Sequence, residues 1–166
     1  MVRVIIVFCF IFFQDIYAAA IPDLDTAKEI GRRVMNTNVG GRSKLEAGLD
    51  HIIIRHSSGA NLGPSTSHFR SDDRDWIRDI IIETVGRADN WVEYASQDRY
   101  GNPARMLELH KSFRPGGFNG TDPIGEDDTG VLRMHTVKVG LNITGINTLG
   151  NPSVRGFLAT SFPIQP

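Results

Sequence analysis

The chain has 166 residues, enough for one domain with a sizeable core, and its 18 Lys and Arg against 19 Asp and Glu give a formal net charge of −1. A chain this close to neutral has no global electrostatic field that would draw it to nucleic acid or to an anionic membrane. Its single cysteine, Cys9, lies within the first twenty residues, so the rest of the chain has no thiol for disulfides or thiolate chemistry.

The first twenty residues have the pattern of a secretory signal peptide. Arg3 precedes the apolar run Val4 to Phe13, and the small residues Ala18 to Ala20 form an A-x-A cleavage motif. An apolar segment of about ten residues is too short to span a bilayer. We therefore expect cleavage after Ala20 and a secreted, extracellular protein. An uncleaved anchor and a buried helix are the alternatives.

A helical segment follows the predicted signal, and Asp23 or Asp25 can cap it. The pair Arg32-Arg33 is also a candidate processing site. Residues 21–40 are therefore assigned to an N-terminal helix or to a removable pro-segment. The apolar stripe that predicts this helix consists of Leu24, Ala27, Ile30 and Val34.

A second helix is predicted from Ser43, which forms a capping box with Glu46. At 100° per residue, His56 projects onto the apolar stripe of this helix, whereas His51 and Arg55, four residues apart, share a flank of it. The stripe consists of Leu45, Leu49, Ile52 and Ile53.

A third helix is predicted to begin with Ser71 as its cap and to stop at Gly86. Asp72 and Asp73 suit the positive end of the helix dipole. Its buried face is predicted to consist of Trp76, Ile77, Ile80, Ile81 and Val85.

After residue 90 the apolar period changes to two, which predicts strands. Turn-rich segments at 120–130 and 140–153 separate them. Helices followed by strands with short connections predict an α+β domain over residues 41–166 with a mainly antiparallel sheet. The predicted strands are Trp91 to Tyr94, Arg105 to Phe113, Val131 to Val139 and Gly156 to Phe162.

The sequence predicts no metal and no cofactor. His51 and His56 are five residues apart, which places them about 140° apart on a helix, and no Glu follows His51 as zinc-protease chemistry would require. There is no glycine-rich phosphate loop with its lysine and no G-x-S-x-G nucleophile motif.

What remains is a set of separated acid–base and cationic groups. Metal-free RNA cleavage needs one group to take the proton of the 2′-hydroxyl, another to protonate the departing 5′-oxygen, and donors to stabilise the phosphorane. Histidine suits both proton transfers because its unperturbed pKa lies near neutrality. The set comprises His51, Arg55, His56, His68, His110, Lys111, His135, Lys138 and Thr160.

The order "HIIIRHSSG", "STSHF", "DRDWIRDIIIETV" and terminal "LATSFP", over residues 41–163, resembles bacterial polymorphic-toxin ribonucleases. The closest groups are the RNase A-like toxin domain of contact-dependent inhibition systems and the EndoU-like toxins. The resemblance implies N-terminal helices packed on a curved, mainly antiparallel four-stranded sheet. It also implies an RNA substrate, cleavage without metal, and an immunity or inhibitor protein as partner.

The opening histidines of the RNase A-like motif fall on His51 and His56. The resemblance makes His51 the main acid–base residue, whereas the place of His56 on the apolar stripe favours a buried structural role. Arg55 is then a phosphate contact, and a surface ion pair with Asp50 or Asp79 is its alternative.

The family's terminal motif places its threonine on Thr160, a donor to the transition state. On a regularly alternating strand Thr160 shares a face with Phe162 and Leu158. Phe162 stands where the family has tyrosine, so the position can contact substrate but has no hydroxyl to donate. This departure puts full activity in doubt, or passes the role to His135.

Other residues are weaker candidates. His68 is a proton donor or cation, or else a solvated loop residue; His110 and His135 could line a cleft; Lys111 is a possible substrate contact. Trp76 and Trp91 are expected to serve packing rather than base stacking. Two glycosylation sequons begin at Asn119 and Asn142.

Two functions compete. The first is a secreted, metal-independent ribonuclease of toxin type, a stand-alone effector with His51 central and Arg55 and Thr160 assisting. The second is a non-catalytic secreted binding protein that keeps the toxin fold. In both cases we expect a monomer that does not associate with membranes once the signal is removed.

Overall fold

The computed structural model describes residues 20–58, 60, 67–98, 100–127, 129–147 and 153–165. Apart from Ala20, the predicted signal peptide lies outside the described residues. The described chain is α+β with antiparallel sheets, as predicted. Its elements are α1 (Leu24–Asn36), β1 (Asn38–Val39), β2 (Arg42–Ser43), α2 (Lys44–His56), β3 (His68–Phe69), α3 (Arg74–Gly86), β4 (Asn90–Gln97), β5 (Pro103–Ser112), β6 (Gly125–Glu126), β7 (Leu132–Met134), β8 (Thr136–Asn147) and β9 (Ser153–Ile164).

Side-chain caps begin the helices. Asp23 Oδ1 accepts a hydrogen bond from the Thr26 amide at 2.7 Å at the start of α1, and Ser43 Oγ accepts one from the Glu46 amide at 3.1 Å at the start of α2. Each cap satisfies a main-chain donor that the helix leaves unpaired. The Glu46 carboxylate pairs with Arg74 on α3 at 3.0 Å and so ties the two helices together.

The predicted cap of α3 was wrong by two residues. Asp73, not Ser71, caps this helix, because Asp73 Oδ1 accepts from the amides of Asp75 and Trp76 at 2.8 and 3.1 Å. Ser71 Oγ accepts from the Asp73 amide at 3.0 Å and holds the cap in place. A carboxylate at this position also interacts favourably with the helix dipole.

The largest sheet has the strand order β4-β5-β8-β9, with every neighbouring pair antiparallel. Two small sheets, β1-β2 and β3-β6-β7, accompany it. The prediction that residues 140–153 form a turn-rich connection was wrong for its first half, because β8 runs on to Asn147. In this segment β8 stays paired with β9, with register shifts at Gly140/Leu141 and Ile143/Gly145.

The core lies between the helices and one face of this sheet. A Cβ added to Gly31 of α1 would stand 2.7 Å from Val85 of α3 and 2.9 Å from Leu109 of β5. Ala27 and Val34 of α1 are completely buried in the same core. Because cleavage after Arg33 would remove part of this packing, we expect α1 to stay with the domain. Among the described residues, no helix is both long and apolar enough to cross a membrane.

The close approach of α2 to β9 gives a stability prediction. A Cβ on Gly48 would lie 2.9 Å from the main-chain oxygen of Leu158, which cannot move without disturbing the strand. We expect Gly48→Ala to destabilise the fold by about 1 to 3 kcal/mol through overpacking, measured by thermal or urea denaturation. Gly86→Ala is the matched control, since nothing lies within 4 Å of its added Cβ. Equal melting temperatures for the two variants would contradict this packing.

The two glycosylation sequons lie in different surroundings. Asn119 is exposed in the turn that precedes Thr121. Asn142 on β8 is 3% exposed, and its side-chain amide donates a hydrogen bond to the Gln97 oxygen at 3.1 Å. A glycan on Asn142 is incompatible with this packing, whereas Asn119 is accessible.

Candidate functional site

The β4-β5-β8-β9 sheet has a second face, opposite the one that packs on α1, and the end of α2 reaches it only at the β9 edge, where His56 stacks on Phe162. Leu109 and Leu141 point toward the helices, since both side chains border Gly31 of α1. Side chains alternate along a strand, so the residues next to them point the other way. We call this second surface the outer face. It carries Tyr94, Glu108, His110, Lys138, Thr160 and Phe162.

Strand register places these polar residues in two adjacent rows. His110 lies opposite Lys138, and Lys138 lies opposite Phe162. In the next row Glu108 lies opposite Gly140, and Gly140 lies opposite Thr160. Three strands therefore bring a carboxylate, an imidazole, an ammonium group and a hydroxyl to one area of the outer face.

Glu108 is the centre of a cluster that it forms with Lys138, Tyr94 and His110. Its Oε1 accepts hydrogen bonds from Lys138 Nζ and from the Tyr94 hydroxyl, both at 2.9 Å. Its Oε2 lies 3.5 Å from His110 Nε2. The side chains of Glu108, Lys138 and His110 are 12, 20 and 20% exposed, so the cluster is screened from water but reachable.

The surroundings of Glu108 keep it ionised. Burial alone would raise the pKa of this carboxyl, but hydrogen bonds from Lys138 and Tyr94 and the nearby charges of Lys138 and His110 hold it below its usual value. Burial, and the hydrogen bond to this carboxylate, raise the pKa of Tyr94. At neutral pH the cluster therefore contains a carboxylate, an ammonium group and an undissociated phenol beside an imidazole.

An aromatic stack borders the cluster. The centre of the Phe162 ring lies 4.7 Å from Lys138 Nζ, and this ring also stacks on the ring of His56, with ring centres 4.9 Å apart. Burial lowers the pKa of His56 to about 4, and the charges of His68, Arg55 and His51 lower it further, while a main-chain contact to Ser67 opposes the shift. His56 is therefore neutral near pH 7 and acts as a packing partner of Phe162.

Thr160 belongs to the outer face, but one expectation about it was wrong. Leu158 does not share its face, because the register shift inserts Ala159 as an extra residue and turns Leu158 toward α2. The methyl group of Thr160 lies where a side chain at Gly140 would stand, since a Cβ there would approach it to 2.9 Å. Glycine at position 140 thus leaves room for the methyl group of Thr160 on this face of the sheet.

His51 and Arg55 are exposed on α2, on the same flank as Gly48, which packs against β9. They therefore lie toward the β9 side of the sheet, close enough to His56 for their charges to affect that ring, but no contact joins them to Glu108, His110 or Lys138. The ion-pair alternative for Arg55 has no support from its suggested partners. Asp50 pairs with Arg42 and Arg74, and Asp79 pairs with Arg78.

The remaining predicted site residues lie outside the Glu108 cluster, and His68 is close enough to His56 for its charge to affect that ring. His68 lies on β3, where its main chain pairs with Glu126 of β6. His135 follows β7, and its Nδ1 lies 2.8 Å from Asp122 Oδ1. Lys111 has its Nζ 5.3 Å from the ring centre of Phe113. None of these contacts connects His68, His135 or Lys111 with the Glu108 cluster.

Sequence reasoning missed Glu108 and Tyr94 and gave His110 little weight. A usable signal was present in the segment Arg105 to Phe113, where apolar Leu107 and Leu109 alternate with Glu108 and His110. A carboxylate and an imidazole two residues apart on one strand share a face. What the sequence did not show is that Lys138 comes to the same place.

The Glu108 cluster is poorly suited to a metal ion. Within the described ranges, no three or more His, Cys, Asp and Glu side chains come together in a group that could hold one. Glu108 and His110 would supply only two metal ligands. The ammonium group of Lys138 already binds the carboxylate oxygen that a metal ion would need. The arrangement fits proton transfer and the binding of an anion better than metal coordination.

No protein-family model, curated protein or solved structure matches the chain. The likeness to toxin ribonucleases therefore rests on short motifs alone. The geometry of the outer face is the remaining indication of function.

Proposed function

We propose that the protein is a secreted, metal-independent ribonuclease of toxin or effector type, and that the outer face is its active site. The observation that carries the proposal is the position of the Glu108 carboxylate, 3.5 Å from His110 and 2.9 Å from Lys138. Such a set can move two protons and bind a phosphate without a cofactor.

Glu108 and His110 have the proton-transfer roles in this proposal. The Glu108 carboxylate takes the proton of the 2′-hydroxyl while the 2′-oxygen of the RNA attacks phosphorus. Protonated His110 gives its proton to the 5′-oxygen as the bond from phosphorus to that oxygen breaks. The products are a 2′,3′-cyclic phosphate and a 5′-hydroxyl, and proton exchange with water restores both side chains.

Lys138, Tyr94 and Thr160 have the stabilising roles. Lys138 carries a positive charge beside the reacting groups, where it offsets the charge that develops on the phosphorane oxygens. Thr160 lies opposite Gly140, in the same row of the outer face as Glu108, and we assign its hydroxyl the role of a neutral donor, as the sequence motif suggests. Phe162 contributes an apolar surface rather than a donor.

His51 and Arg55 have a peripheral role in the proposal. They lie on the flank of α2 that packs against β9, and a curved sheet would bring this flank closer to the outer face. Arg55 is suited to contact a neighbouring phosphate of the RNA chain, because its guanidinium can donate two parallel hydrogen bonds. The proposal thus transfers the main acid–base role from His51 to the Glu108 cluster.

The toxin character of the proposal rests on the sequence resemblance and on the signal pattern at residues 1–20. A secreted ribonuclease endangers the cell that makes it if it folds before export. A dedicated inhibitor protein covering the outer face would remove this hazard, and we include such a partner in the proposal.

RNA cleavage by this protein should survive chelation. We expect the protein to cleave total RNA in excess EDTA and to leave 2′,3′-cyclic phosphate ends, because Glu108, His110 and Lys138 together supply the proton transfers and the cation. Gel analysis of the RNA and enzymatic typing of the ends measure both features. Activity that EDTA abolishes and a divalent ion restores would contradict the proposal.

A non-catalytic binding protein is the second candidate, favoured by one observation. Glu108 is already engaged by Lys138 and Tyr94, as in a structural ion-pair network that only fastens three strands. On that reading the protein binds RNA or another anion through Lys138 and Arg55 without cleaving it. Intact RNA after long incubation, together with a salt-dependent binding signal, would favour this candidate.

A further inference from the structure

Ile21 is the first buried residue of the described part of the chain. Ile21 is 5% exposed and belongs to the hydrophobic core, whereas Ala20 before it is exposed. Pro22 follows at once, and Asp23 caps α1. The main-chain nitrogen of Ile21 therefore has a fixed place between the surface and the core.

A partly buried carboxylate accepts a hydrogen bond from this nitrogen. The Ile21 nitrogen donates a hydrogen bond to Glu93 Oε2 at 3.0 Å, across 72 positions of sequence. The Glu93 side chain is 11% exposed, and its other oxygen contacts the guanidinium of Arg105. A carboxylate that is only 11% exposed is stabilised more by a charged ammonium donor than by a neutral amide, so this contact would strengthen if Ile21 carried an α-ammonium group.

We propose that the bond between Ala20 and Ile21 is the maturation site, and that the α-ammonium group released there forms a buried ion pair with Glu93. Hydrolysis places the oxygen of water on the Ala20 carbonyl, and the Ile21 amine takes up a proton near neutral pH. The A-x-A cleavage motif at Ala18 to Ala20 and the Ile21–Glu93 contact point independently to the peptide bond between Ala20 and Ile21.

The ion pair would fix the edge strand of the sheet to the start of α1. Glu93 lies on β4, next to Tyr94, whose hydroxyl binds Glu108 on the outer face. Maturation would thus anchor the strand that supplies one of the residues of the cluster. The inference goes beyond the proposed ribonuclease function and stands if that function fails.

The first test identifies the mature end of the protein. The full chain is produced in secreting cells, and the exported protein is analysed by mass spectrometry of its N-terminal peptide. We expect Ile21 as the first residue. A different first residue, or export without cleavage, would overturn the proposal.

The second test isolates the charge. Proteins that begin at Ile21 and at Ala20 carry the same net charge, and the exposed position of Ala20 means that the extra residue causes no clash. Each of the two proteins is made with Glu93 and with Glu93→Gln. An N-terminal fusion partner is cut off directly before the chosen first residue. Residues 21–166 contain the whole described core.

We expect the Ile21 form to melt roughly 3 to 6 °C above the Ala20 form when Glu93 is present, and within about 1 °C of it in the Glu93→Gln background. Removing the Glu93 carboxylate also removes its contact with Arg105, which has a cost in stability. Comparing the two Glu93→Gln proteins with each other cancels this cost, because it is the same in both. An equal difference in both backgrounds, or no difference with Glu93, would show that Glu93 does not bind an α-ammonium group.

Discussion

Replacing His110 by alanine is expected to lower kcat/KM for RNA cleavage by about 10² to 10⁴-fold, the range for loss of a general acid or base. Glu108→Gln should cost a similar factor, because the amide keeps the shape of the side chain but cannot accept the proton. His110 is half-buried on the outer face, outside the packed core, so the variant should remain folded. Initial rates on a short RNA oligonucleotide, together with melting temperatures, measure both effects.

His51→Ala is the matched control, since it removes an exposed imidazole from the flank of α2 instead of the outer face. We expect a loss below about tenfold for this variant. The converse result, an active His110→Ala protein and an inactive His51→Ala protein, would place the chemistry on α2 and restore the assignment made from the sequence motif. Two active variants would exclude both histidines as acid–base residues.

The helices could be predicted because their signals are local. The apolar period, the N-cap residue and the stop signal of a helix all lie within one short segment of sequence. Asp23 and Ser43 cap α1 and α2 as the sequence indicates. The cap of α3 was misplaced because Ser71, Asp72 and Asp73 are consecutive candidates. The choice among them depends on which oxygen reaches the amides of Asp75 and Trp76, and composition does not show this.

The length of β8 was underestimated because glycine and asparagine are read as turn residues. In the folded protein, Gly140 and Gly145 are tolerated inside the strand, and β9 pairs with it on both sides of two register shifts. Long-range pairing overrides a local preference here. The same register shift reversed the side of Leu158, which strict alternation had placed beside Thr160.

The candidate site was less predictable than the fold because it depends on strand order. Tyr94 and Lys138 are 14 and 30 positions from Glu108, and they meet it only because β5 lies between β4 and β8. Motif order favoured His51, which the sequence places beside Arg55. Thr160 and Phe162 are assigned to the proposed site both by the sequence motif and by the place of β9 in the sheet, whereas His110 was only a weaker candidate in the sequence.

Acidification should destabilise the protein through His56. The ring is buried against Phe162, and burial lowers its pKa from 6.5 to about 4. Between these values the unfolded chain binds a proton that the folded chain excludes, so stability is fully present above pH 6.5 and falls as the pH is lowered. We expect a loss of about 2 to 3 kcal/mol in the free energy of unfolding between pH 7 and pH 4.5, measured by urea denaturation.

His56→Phe isolates this effect, because it keeps an aromatic ring on Phe162 but has no proton to gain. Five described carboxyls whose pKa the fold lowers are present in both proteins: Asp23, Glu29, Asp50, Glu108 and Asp127. Their unfolded forms begin to take up protons toward pH 4.5, but this contribution is common to both proteins, so the difference between the proteins isolates His56. We expect His56→Phe to lose about 2 to 3 kcal/mol less free energy of unfolding than the unsubstituted protein between pH 7 and pH 4.5. If the two proteins lost stability in parallel, the proton uptake would belong to another group, and the buried, neutral state assigned to His56 would be wrong.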